Sequence, residues 1–188
     1  MSAVIQTMQK YSTGKVVSVL FVLTMIVYSS MLLFSIPAVS MFAPEMPIFD
    51  LSPAGYSFDY ANALLSKLGA EGRDVYLYTQ LPLDFIYPGL FSITYSLMLV
   101  WLLGKLFSDN SKVYYVAFVP FMAGVFDYIE NVYIISMINS FPDLQAATVN
   151  VSSFFTVLKS GFTTLFFVLL MIAFMMLLKK RLLNAKNQ

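Results

Sequence analysis

Four long apolar runs constrain this chain more than any other feature. The first, "VVSVLFVLTMIVYSSMLLFSIPAVSMF", extends from about Val16 to Phe42. The others cover about 75–107, 113–138 and 146–178. Each reaches the roughly 20 residues that cross a bilayer at about 1.5 Å per residue. The runs predict an all-α membrane protein, a four-transmembrane-helix bundle forming a single membrane domain over residues 1–188. Composition agrees: 59% of residues are hydrophobic, 11% are charged and the mean hydropathy is +0.77. A soluble domain carries about 25% charged residues. The first run begins near basic residues and holds small ones at Ala38 and Ser40. It outlasts the roughly 7–15-residue core of a signal peptide, so it reads as a retained helix.

Several function classes drop out. A net charge of +1 leaves no basic face for nucleic acid. The chain has no cysteine and no histidine, which removes thiol chemistry, haem ligation by those residues and ordinary zinc sites. No metal and no cofactor is expected. Acid–base chemistry falls to Asp, Glu, Lys or Tyr.

Charge sets the expected orientation. Lys10, Lys15, Lys105, Lys112, Lys179, Lys180, Arg181 and Lys186 lie on one side of the spans, Lys67 and Arg73 on the other. Eight against two predicts cytoplasmic termini and residence in the inner, or plasma, membrane. Tyr76 and Tyr78 fit the outer interface, and Trp101, Tyr114 and Tyr115 the inner one. The external segment 43–74 opens as a proline-rich loop. It continues as a short amphipathic helix, capped by Ser57 and ended by Gly69, with Ala61, Leu64, Leu65 and Leu68 on one face. That helix reads as a packed cover or as a gate.

The spans carry polar residues at one depth. Asp84, Asp127, Glu130 and Lys159 all fall about 12–20 Å from the outer edge. Asp127, Glu130 and Asn131 share a helix face, which Pro120, Ala123 and Gly124 extend with small groups. Gln80, Asp84, Tyr87, Phe91 and Tyr95 form a stripe on the second span; Ser152, Thr156, Lys159 and Thr163 form one on the fourth. Thr24, Tyr28, Met31 and Ser35 repeat the pattern on the first. These stripes should face each other. Unpaired charges at a helix centre cost about 2.5–3.5 kcal/mol each. With one lysine for three acids, at least one acid is expected to be protonated. Prolines 82, 88 and 120 free backbone carbonyls beside the acids.

These residues suggest a polar pocket for a small lipid-like or cationic ligand. Asp127, Glu130 and Asp84 would act as acid or base, and Asn131, Lys159, Tyr87, Tyr95, Tyr128 and Gln80 would bind. A membrane-embedded enzyme, proton-coupled transport and a structural or assembly subunit are the alternatives. The partners expected are the bilayer and that small molecule, and no nucleic acid. Rhomboid, presenilin-type and CDP-alcohol transferase motifs are absent. A dinuclear metal site is disfavoured because Lys159 competes for the carboxylates.

The run "GYSFDYANALLSKLGAEGRDVYLYTQLPLDFIYPGLF", followed by "FDYIENV", resembles a group of uncharacterised bacterial four-helix integral membrane proteins over about residues 55–132. That resemblance implies no activity. The layout, with an acid near a proline in "LDFIYP", is more distantly similar to the EXPERA group of sterol isomerases and sigma-2-type receptors. This likeness implies four helices and acids that hold an amine or a sterol cation. The first span here carries no acid, and Lys159 is an addition.

Overall fold

The structure, a computed structural model, describes residues 3–109 and 111–186, with the Lys186 side chain outside the described set. The inner-side charge counted at Lys186 therefore lies outside the described side chains. Every regular element among the described residues is helical. Apolar runs form helices because backbone groups in hydrocarbon must bond within the segment. The helices are α1 (Ala3–Tyr11), α2 (Gly14–Ser40), α3 (Phe58–Val75), α4 (Leu81–Leu103), α5 (Phe118–Ser140) and α6 (Ala146–Lys186). A π-helical turn, Met31–Ser35, interrupts α2, and another, Tyr76–Gln80, joins α3 to α4. A 3₁₀ segment, Lys112–Ala117, leads into α5. Among the described residues four stretches are long and apolar enough to cross a membrane: Gly14–Ser40, Phe58–Leu103, Lys112–Ser140 and Ala146–Ala185. They are the first to fourth spans of a multi-pass helical membrane protein.

Helix ends follow local chemistry. The Thr13 hydroxyl accepts from the Val16 N–H at 3.3 Å and starts α2. The Ser57 hydroxyl accepts from the Tyr60 N–H at 3.1 Å and starts α3. Gly69, at φ +64°, breaks α3 as expected, but helix resumes at once, so the second span begins before Val75. Ala61, Leu64, Leu65 and Leu68 are buried on one face, as the spacing predicts. The N-terminal segment, read above only as a basic tail, forms α1, whose Ile5 is fully buried against one end of the bundle. Nine residues are too few for a helix to persist alone, so docking stabilises it.

Packing has three layers. One apolar core joins α3 to the ends of the spans through Ile48, Leu64, Leu65, Ile134 and Met137. A second core, at the opposite end of the spans, gathers Phe91, Tyr95, Leu99, Tyr114 and Phe166. Buried polar residues lie between. The second and third spans are the buried ones, and the first and fourth flank them. The first and fourth scarcely touch, leaving a slit between them. Tyr76 and Tyr114 are fully buried, each in one of the two cores, whereas Tyr78 and Tyr115 are exposed.

Candidate functional site

The polar layer is built from helical spacing. Asp127 and Glu130 lie one turn apart on α5, and Lys159 reaches both from α6. Its Nζ is 2.6 Å from Glu130 Oε2 and 3.2 Å from Asp127 Oδ1. Thr156, one turn before Lys159, donates its hydroxyl to Glu130 Oε1 at 2.7 Å. Glu130 is fully buried. One cation thus serves two carboxylates.

A proline organises the next part. Pro88 lies inside α4 and has no N–H, so the carbonyl four residues earlier, that of Asp84, loses its helical partner. The Asn131 side-chain amide donates to that carbonyl at 2.8 Å. The helices approach closely enough because position 124 is glycine: a Cβ there would lie 2.7 Å from the Pro88 carbonyl. The two π-helical turns meet beside this site, where the Ser35 hydroxyl donates to Gln80 Oε1 at 2.5 Å.

Asp84 itself is 3% exposed, and its Oδ2 has no partner. An acidic neighbour comes from the loop before α3. The 3₁₀ turn Phe49–Leu51 carries Asp50, which lines the same cavity as Asp84. Asp50 Oδ1 is likewise buried without a hydrogen-bond partner. The Tyr76 hydroxyl holds the other Asp50 oxygen at 2.5 Å. Tyr56 fastens the loop to α6: its N–H donates to Ser153 Oγ at 2.8 Å and its hydroxyl to Ser152 Oγ at 2.7 Å. Burial pushes the Tyr56 phenol above its ordinary range, so it stays a donor. Sequence reasoning did not single out Asp50. The usable signal was its setting, "PIFDL", an acid between apolar residues.

These groups border a cavity of about 670 Å³. Asp50, Asp84, Asp127 and Lys159 line its polar end; Tyr28, Tyr87, Phe91, Tyr95, Met98 and Phe167 line much of the remainder. The wall includes residues of both the first and fourth spans, so the cavity borders the slit between them. Of the residues singled out from sequence, Asp84, Asp127, Lys159, Tyr87 and Tyr95 line it together. Glu130 lies behind Lys159, Asn131 bonds the backbone, and Gln80 bonds Ser35. Tyr128 packs instead toward Gly89 and Phe85. Among the described residues no three acids are grouped to hold a metal ion.

No family model, no curated protein and no solved structure matches this chain. The likeness to the EXPERA group therefore gains no support from a relative.

Proposed function

We propose that this protein binds a small lipid-like or cationic molecule in the cavity, from a plasma membrane in which both termini are cytoplasmic. The observation that carries the reading is the cavity's polarity: charged side chains at one end, with aromatic and methionine side chains along much of the rest. Ligand sites of about 300–1,000 Å³ with a few convergent polar groups have this character. A purely structural role accounts for Lys159 and its two acids. It does not account for buried carboxylate oxygens without partners, which are costly to leave unsatisfied. Acid–base catalysis is the second reading, favoured by Asp84 standing unpaired at the cavity wall. Transport through the bundle is disfavoured by the second apolar core.

The test is native mass spectrometry of gently purified wild type beside Thr163→Trp, which fills the cavity from a lining position. Co-purifying small molecules should be present in wild type and lost from a folded Thr163→Trp. A wild type that carries nothing and takes up no added amphiphile would sink the reading. Orientation is checked separately in a chain free of cysteine. Asp143→Cys should react with an impermeant thiol reagent on intact cells, and Ser108→Cys only after permeabilisation.

A further inference from the structure

We propose that Asp50 and Asp84 together seat the cationic head of a single-chain amphiphile, with the external loop completing the site by supplying Asp50. This rests on reading the cavity as a ligand site. Lys159 makes its ion pairs with Asp127 and Glu130, and neither Asp50 nor Asp84 has an ion-pair partner among the described residues. Asp84, 3% exposed, and Asp50 both line the cavity, and each has a buried oxygen without a hydrogen-bond partner. Two carboxylates in one cavity wall, each with an oxygen that no protein donor meets, call for a ligand that brings both positive charge and N–H groups, and an ammonium does so. A metal ion would want more oxygens than are grouped here among the described residues.

The rest of the cavity fixes the shape. The charged lining residues gather at one end, so the ligand carries its charge at one end. From Asp84 to Met98 the lining runs fourteen residues along α4, about 20 Å of helix, which suits an extended alkyl chain. Tyr87, Phe91 and Tyr95 follow the same face and would lie along the tail. The slit gives that tail access from lipid while Tyr56 keeps the loop fastened.

The experiment uses full-length protein in nanodiscs of neutral lipid and compares dodecylamine, dodecanol and dodecanoate by native mass spectrometry. Wild type should retain the amine about 10-fold better than the alcohol, the size of one charge-assisted hydrogen bond. Asp50→Asn and Asp84→Asn should each abolish that preference while leaving alcohol binding intact. Melting temperature reports folding, and Asp50→Asn alone carries the test if Asp84→Asn does not fold. A preference that survives in both variants overturns the seat and leaves the cavity reading standing. A wild type that binds none of the three overturns both.

Discussion

At the scale of single residues, the chain separates charges that pair with one another from charges that have no ion-pair partner among the described residues. Lys159, Asp127 and Glu130 belong to the first kind. Removing one partner of a buried ion pair costs about 3–5 kcal/mol, because the other charge stays buried and alone. Lys159→Met should therefore destabilise the protein by that order in denaturant titrations in detergent. The triple change Lys159→Met/Asp127→Asn/Glu130→Gln should recover most of it. A stable Lys159→Met would refute this assignment. Asn131 invites a sharper test, since its bond exists only because Pro88 withholds an N–H. Asn131→Leu should cost about 1 kcal/mol, toward the upper part of the range for membrane hydrogen bonds. In a Pro88→Ala background, where helix can satisfy the Asp84 carbonyl, the cost should vanish. An unchanged cost would mean that Asn131 acts elsewhere. The Lys159 cluster was legible in sequence because helical spacing and depth need no knowledge of loops. Tyr128 lies off the cavity lining for a reason of the same geometry. It follows Asp127 by one residue, about 100° around the helix, and so faces Gly89 rather than the cavity.

At the scale of elements, the informative parts are those where regular structure is broken. The first part of α3 was readable because its cap and its apolar face agreed, and Gly69 marks the break after which helix resumes. The loop before it was not, because "APEMPIFDLSPAGY" has no period from which to infer that Asp50 turns inward. What fixes that loop is its fit against α6. Gly55 has φ +80°, and a Cβ there would lie 2.6 Å from Ser153 Oγ and 3.1 Å from Val157. Gly55→Ala should loosen the loop without unfolding the spans. Limited proteolysis should then cleave within residues 43–57 several times faster, with the melting temperature changed little. Cleavage at the wild-type rate would show that the latch through Tyr56 suffices alone. The paired π-helical turns were invisible in sequence, since the prolines that follow them are also compatible with plain kinks.

At the scale of the whole molecule, the arrangement of spans decides how anything reaches the polar end. The second and third spans form the buried centre, and the first and fourth stand on either side of a slit that the cavity borders. Composition and span length made the four helices legible; which pair would fail to close was not, because apolar surface facing lipid and apolar surface facing a slit have the same sequence signature. Phe21 of the first span and Phe167 of the fourth both pack on Tyr95, each with ring centroids 6.4 Å away, so they flank the slit from opposite sides. The absence of native cysteine allows them to be bridged cleanly. Phe21→Cys/Phe167→Cys joined by a bis-maleimide should cut dodecylamine uptake to the level of Thr163→Trp. Tyr56→Cys/Ser153→Cys joined the same way holds the loop on α6 and should leave uptake unchanged. If instead the loop bridge blocks uptake and the slit bridge does not, the ligand arrives from the outer aqueous phase. The fastened loop would then be the door and not the wall.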